Sequence, residues 1–324
     1  MITKAHKTYF IFLSLSCCSG LLNALELPKV DSLDMTKQLG DLSEIAHADT
    51  SVNGDVSSTA ASYEVPKDLA MGIKHQSYDF SSIEESDAEL AMDYTQIKIP
   101  LGKYDIGNSF VVPTIALGKT AFRFDNADVD NQEVYTLKTQ LMVVTPGDEW
   151  TRIIQVTPSL HSDLDALDED AFSLMGLAVW RYQSTAVSAW TMGVGFNRLF
   201  GEYKPIPLVS YQYKVANNIQ LDLGFPITKA EYRWQSDWST YASIAPVGGN
   251  WRYETKDHKK LNISYTTWIA ATGIRYQFKP KMWGTFEIGR SLSGQLNLDT
   301  DSNINEDLDV ADAPVIMLSF GFHP

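Results

Sequence analysis

Three acidic stretches are the first residues in this chain that could do chemistry. Asp125, Asp128, Asp130 and Glu133 form one; Asp163, Asp165, Asp168, Glu169 and Asp170 form the second. Asp299, Asp301, Glu306, Asp307, Asp309 and Asp312 form the third, and none of the three contains a Lys or Arg. Hard divalent cations take oxygen ligands, so several carboxylates on one loop predict weak cation binding, best at Asp299, Asp301, Asp307 and Asp309. The competing reading is a solvated acidic face. Asp299-x-Asp301-x-Asn303 opens like a calcium loop, but Ile304 stands where that loop needs Gly and Val310 where it needs Glu.

His161 with Asp163, or with Ser159, is the one pairing that could activate water or a hydroxyl. His47, His75, His258 and His323 are scattered without metal-ligand spacing, and no glycine-rich phosphate loop is present. The expectation is therefore a protein without catalysis and without a cofactor, apart from a weakly held divalent cation at the acidic loops.

A second set of polar residues is defined by alternation. Thr136, Lys138, Gln140, Gln155, Thr157, Ser159, Gln212, Lys214, Gln220, Asp222 and Glu287 each alternate with apolar neighbours. A period of two puts alternate side chains on opposite faces of a sheet, so these residues share one wet face while the apolar set shares the other. If the apolar face meets lipid, the polar one lines a lumen that passes or binds a small polar solute.

The elements that would position them are strands of about 9–12 residues. Ile154, Val156 and Leu160 alternate with Gln155, Thr157, Ser159 and His161; Ile219, Leu221, Leu223 and Phe225 alternate with Gln220, Asp222 and Gly224. Asn217-Asn218 supplies a hairpin turn between two of them. Short links at residues 147–149, 183–186, 216–218 and 279–281 contrast with long ones at 124–133, 162–170, 198–203 and 298–312. That order, with Trp150, Tyr182, Trp190, Tyr213, Trp268, Tyr276 and Trp283 near strand ends, predicts an all-β, antiparallel up-and-down transmembrane barrel. About 14 strands are expected, with 12 as the alternative, because residues 228–253 can be cut in more than one way. Pro113, Pro158 and Pro207 inside strands, and a phase change between Ile269 and Ile274, predict bulges. A soluble β-sandwich is the competing architecture, and a barrel plugged by its own side chains is the other alternative.

Composition narrows the rest. With 26 Lys and Arg against 40 Asp and Glu, the 324-residue chain carries a formal charge of −14, which excludes a nucleic-acid partner. Residues 1–24 read as a signal peptide: Lys4 and Lys7 precede an apolar stretch, and cleavage near Ala24 is expected. Both cysteines, Cys17 and Cys18, precede that point, so no disulfide is expected afterwards. Residues 25–69 are acidic and poor in aromatics and read as a disordered periplasmic extension; residues 70–324 read as the barrel.

Pro205-Ile-Pro-Leu-Val-Ser-Tyr-Gln-Tyr, then Asn217-Asn-Ile-Gln-Leu-Asp-Leu-Gly-Phe-Pro226 and Glu231-Tyr-Arg-Trp234, resembles an uncharacterised family of Gram-negative outer-membrane β-barrels. The resemblance implies residence in the outer membrane among its lipids and lipopolysaccharide, and insertion by the barrel-assembly machinery. Barrels of that kind often end in Phe; here Phe320 and Phe322 alternate just before His323-Pro324.

Overall fold

The computed structural model describes residues 71–84, 86–126, 130–200, 202–300 and 305–322. The signal peptide, its cleavage point and the extension read from residues 1–69 lie outside the described residues. The wall begins with β1 (Met71–Ser82), β2 (Glu89–Pro100), the short β3 (Tyr104–Ile106), β4 (Ser109–Asp125), β5 (Gln132–Thr145) and β6 (Trp150–Ser162). It continues through β7 (Phe172–Thr185), β8 (Ser188–Phe200), β9 (Glu202–Ala216), β10 (Ile219–Phe225) and β11 (Thr228–Arg233). It ends with β12 (Trp238–Glu254), β13 (Lys260–Lys279), β14 (Met282–Thr300), β15 (Asn305–Val310) and β16 (Pro314–Phe322).

Neighbours in sequence pair antiparallel, and β1 pairs with β16 (Ile73 opposite Phe320), so the sheet closes on itself. β3 is a side strand on the start of β4, and β15 and β16 are two pieces of one stave against the upper and lower halves of β14. Sixteen strands less these two give a closed antiparallel barrel of 14 staves. Ring closure leaves none of the 14 described staves at an open edge, and it overturns both the sandwich and the 12-strand alternative.

The outer face shows why the chain adopts this form. Leu117, Ile154, Val156, Leu137, Met192, Ile288 and Leu318 all point outward and are exposed, Ile154 by 53%. A continuous apolar belt of this size is not compatible with water. It is bordered at one end by ring pairs on the outside: Trp150–Tyr182 at 4.8 Å, Trp190–Tyr211 at 4.7 Å and Trp238–Tyr276 at 4.4 Å between centroids. At the other end Phe196 stacks on Tyr203 at 5.2 Å. An apolar belt between two aromatic girdles is the surface of a transmembrane barrel. No helix among the described residues is long and apolar enough to cross a membrane.

The chain termini of the ring and the connections β5–β6, β7–β8, β9–β10, β11–β12 and β13–β14 lie at one end, here the turn end. The connections β4–β5, β6–β7, β10–β11 and β12–β13 lie at the other, the loop end.

Several local expectations are corrected. The link at 198–203 is not long: β8 runs to Phe200, which pairs with Glu202. Most of 298–312 is strand rather than loop. Pro113, Pro158 and Pro207 cause no register shift, because each keeps its place in a continuous register with a neighbour: opposite Leu141, Leu174 and Val194. Ile269 and Ile274 simply face opposite sides, and the β13–β14 register shifts elsewhere: at Thr266/Trp268, where the extra residue is on β14, and at Gln277/Lys279, where it is on β13. Trp283 is not in the girdle. It is buried on the inner side, where a Cβ on Gly321 would come within 2.2 Å of its ring. Trp268 lies mid-strand against Phe225.

Candidate solute site inside the barrel

The register carries inward-facing residues round the wall in rows. One row runs Arg233–Ser239–Arg275–Thr285–Ser319–Lys74–Gln96–Gly118–Thr136–His161, crossing from β11 round to β6. The next row towards the loop end runs Gln220–Glu231–Tyr241–Gly273–Glu287–Met317–Gln76–Tyr94–Thr120–Val134. Hydroxyls, amides and charges dominate both. The outward residues beside them, such as Ile97, Leu117, Phe286 and Leu318, are apolar and exposed.

The structure places Thr136, Lys138, Gln140, Gln155, Thr157, Ser159, Asp222 and Glu287 on this inner side and buried. Gln212, Lys214 and Gln220 lie on it half-buried, near the turn end. Gln140 donates to Gln155 at 3.2 Å and Gln155 to Thr157 at 3.3 Å, so this part of the wall is a bonded polar ladder. Gly273 has a specific use: a Cβ there would sit 2.2 Å from the Tyr241 hydroxyl and 2.7 Å from Glu287 Cγ, so only Gly lets those two groups converge.

Sequence reasoning missed most of the inner charges. Lys74 and Lys229 are buried on the inner face, and Lys98, Arg181, Arg233 and Arg275 are half-buried there. Lys229 bonds Glu231 at 2.7 Å with both side chains almost fully enclosed. Arg181 donates to Gln212 at 2.7 Å, and the Arg275 guanidinium lies 4.4 Å from the Trp283 ring centre. The alternation Lys229-x-Glu231-x-Arg233 was visible in the sequence, but the uncertain cut of residues 228–253 hid which face it occupied. Arg181 was hidden because its inward neighbours, Leu177 and Val179, are apolar.

The loop end is closed. Beyond Ala245, alternation in β12 stops: Ala245, Pro246, Val247, Gly248, Gly249, Trp251, Arg252 and Tyr253 are all buried. The facing part of β13, Asn262 to Tyr265, is buried as well. Arg252 of β12 pairs in parallel with Ser162 of β6, although β6 stands six staves away round a ring of 14. The outer half of the β12–β13 hairpin, still laddered to β14 through Leu261–Thr266, therefore folds inward and crosses the mouth. Trp251 meets Phe122 edge-on at 5.1 Å inside an apolar cluster with Tyr78, Met92, Val134 and Ile263.

The second acidic stretch fastens this hairpin. Arg252 reaches Asp168 Oδ2 at 3.1 Å through Nη2 and 3.3 Å through Nε, and Lys260 reaches the same oxygen at 3.1 Å. Asp163 Oδ2 accepts from the Glu254 backbone N–H at 2.7 Å. Asp163 Oδ1 caps its own loop through the Asp165 and Ala166 N–H groups. Lys256 at the tip pairs with Asp130 of the first stretch at 2.7 Å. Burial pushes the Asp168 carboxyl up, but the bonds from Arg252 and Lys260 outweigh it and hold its pKa below the ordinary carboxylate value.

Asp299 stands opposite Asn305 while Asp309 stands opposite Gln295, four positions apart along β14, or about 13 Å. Asp301 and the side chain of Asp307 lie outside the described residues. No group of three or more His, Cys, Asp or Glu that could hold a metal occurs among the described residues. His161 Nδ1 lies 3.1 Å from Thr136 Oγ1, while Asp163 turns to backbone N–H groups and Ser159 pairs with Ser173 at 2.9 Å.

A family model for a domain of unknown function (DUF6268) matches residues 81–299. No curated protein sequence matches the chain. An outer membrane channel from Pseudomonas putida F1 is 9% identical over 84% of this chain and 100% of that one, with a TM-score of 0.45. The NanC porin is 9% identical over 78% and 99%, at 0.37, and the Pseudomonas putida toluene transporter TodX 8% over 79% and 89%, at 0.33.

Proposed function

The chain belongs to the DUF6268 family, which has no known function, and on its own geometry we propose an outer-membrane barrel that passes or binds a small polar solute without catalysis. The observation that carries this reading is the inner wall. Its register rows are polar from β11 round to β6 while their outward neighbours are apolar, which is the pattern of a wet interior behind a lipid-facing surface. The solute enters from the turn end, where Gln96, Gln212 and Gln220 are half-buried. The folded-in hairpin closes the loop end in the state described, and passage requires it to move.

A second reading has its own support. Gln76, Gln155 and Glu287 are each only 1% exposed, as in a lumen filled for good by its own side chains. One experiment separates the two. The full chain, checked for a heat-dependent shift on detergent gels, is inserted in planar lipid bilayers beside Asp168→Asn, which weakens the hairpin's anchor. The expected result is rare openings in the unaltered protein and frequent ones in the variant. A folded variant that carries no current would overturn passage and favour the filled scaffold.

A further inference from the structure

We propose that the turn-end half of the lumen is an anion site, shaped for small solutes bearing a carboxylate or phosphate group, with Arg275, Arg233 and Lys74 as the side chains that meet them. This rests on the reading of the barrel as one that handles a polar solute and names the chemical class of that solute.

The chain as a whole is acidic, at −14, but the inner wall of the described barrel has the opposite sign. Eight cationic residues of the wall face inward, five of them half-buried, against the three carboxylates Asp222, Glu231 and Glu287. The difference is five positive charges. Their placement is more telling than their number. Arg233, Arg275 and Lys74 lie in one register row whose stretch from β11 to β2 holds only Ser239, Thr285, Ser319 and Gln96 besides, with no carboxylate. At about 4.8 Å per strand, Arg233 and Arg275 are roughly 10 Å apart along the wall, and Arg275 and Lys74 roughly 14 Å. An anion between them meets two or three cations and a set of hydroxyl donors at once.

The carboxylates sit one row or more deeper: Glu231 accepts from Lys229 at 2.7 Å, Asp222 from Gln220 at 3.3 Å, and Glu287 lies beside Tyr241. The cation row comes first for a solute arriving from the turn end, because Arg233 is the last residue of β11 and Lys74 and Arg275 are within four residues of their strand ends. Arg275 lies on the face of Trp283. The planar N–H edge of a guanidinium matches a carboxylate or phosphate in shape and charge. Gathering like charge behind a low-dielectric wall focuses the field along the lumen, so anions are drawn in and cations repelled.

The test uses the full chain in planar bilayers under a KCl gradient, with Asp168→Asn to raise the open time. The expected reversal potential favours chloride over potassium by at least about threefold, as rings of basic side chains do in other pores. Adding Lys74→Glu and Arg275→Glu removes or inverts that preference, whereas Arg275→Lys keeps it. Current with cation preference, or with a preference the double variant leaves unchanged, overturns the anion site while the pore survives. Absence of current in every folded variant overturns passage instead, and binding then decides the anion site. In detergent, citrate is expected to give a saturable tryptophan fluorescence change that sucrose does not, lost in Trp283→Phe and in the double variant. No citrate-specific change overturns the proposal.

Discussion

The β5–β6 wall and the outer half of the β12–β13 hairpin are built from similar residues yet solve different burial problems. In β6 the outward Ile154 and Val156 are exposed and the inward Gln155 and Thr157 are enclosed, so polarity alternates with every step. In β12 beyond Ala245, small, aromatic and charged residues are enclosed on both faces. Alternation therefore marks a strand that separates two media, lipid on one side and the lumen on the other. It disappears where a strand leaves the wall and has protein on both sides.

The largest effect is expected at Trp251. Its ring is 2% exposed and packs on Phe122, and replacing such a side chain with Ala costs about 3–5 kcal/mol. Because the β12 leg of the hairpin crosses the mouth while its β13 leg stays bonded to β14, Trp251→Ala is expected to free residues 245–260 while the barrel stays closed. Amide hydrogen exchange reads both: faster in the hairpin, unchanged in β5 and β6. Equal loss of protection in both regions would mean that the hairpin is an integral part of the wall.

The lipid-facing side of the wall is the second sensitive place. Val156 stands opposite Leu141 on the lipid face near the middle of β6. Val156→Arg puts a charge into the apolar belt and is expected to cost roughly 2–4 kcal/mol, measured by denaturant titration of the protein refolded into vesicles. A cost near zero would remove that face from the membrane.

How much of this was legible follows from the same physics. The lipid-facing alternation of β5, β6 and β10 could be read residue by residue, because each position has one medium on each side. Residues 228–253 could not be cut uniquely, because the pattern used to cut them ceases at Ala245. Lys229, Glu231 and Arg233 were lost with that cut, and Arg275 with the misread phase between Ile269 and Ile274. The acidic stretch at 162–170 was visible as a cluster of carboxylates. Its partners Arg252 and Lys260 are more than 80 residues away in sequence, and only the crossing hairpin brings them together.

That contact gives the next effect. Arg252 is enclosed and in Asp168→Asn loses its nearer charged partner, with Asp170 left at 3.9 Å, for an expected cost of about 1–3 kcal/mol. The loss is local to the hairpin and is readable as faster proteolysis at residues 255–259. The sign with pH follows from the lowered carboxyl. Its contribution is complete above the ordinary carboxylate range and is lost as pH falls through the depressed folded value. Acid should therefore loosen the tip of the unaltered protein, while Asp168→Asn is loose already at neutral pH. A tip equally protected in both at neutral pH would show that packing alone holds the hairpin.

The smallest effect lies at the tip of the hairpin. Lys256 and Asp130 meet at 2.7 Å, but their side chains are 81% and 54% exposed, against 3% and 27% for Arg252 and Asp168. Water and salt screen an exposed pair, so a double-mutant cycle between Lys256→Ala and Asp130→Ala is expected to give a coupling of about 0.2–1 kcal/mol. It should vanish in about 1 M salt, where the screening length falls to roughly 3 Å. A coupling as large as that between Arg252 and Asp168, or one indifferent to salt, would place the tip in an environment as enclosed as the hairpin's base. The division between a packed plug and a solvated tip would then fail.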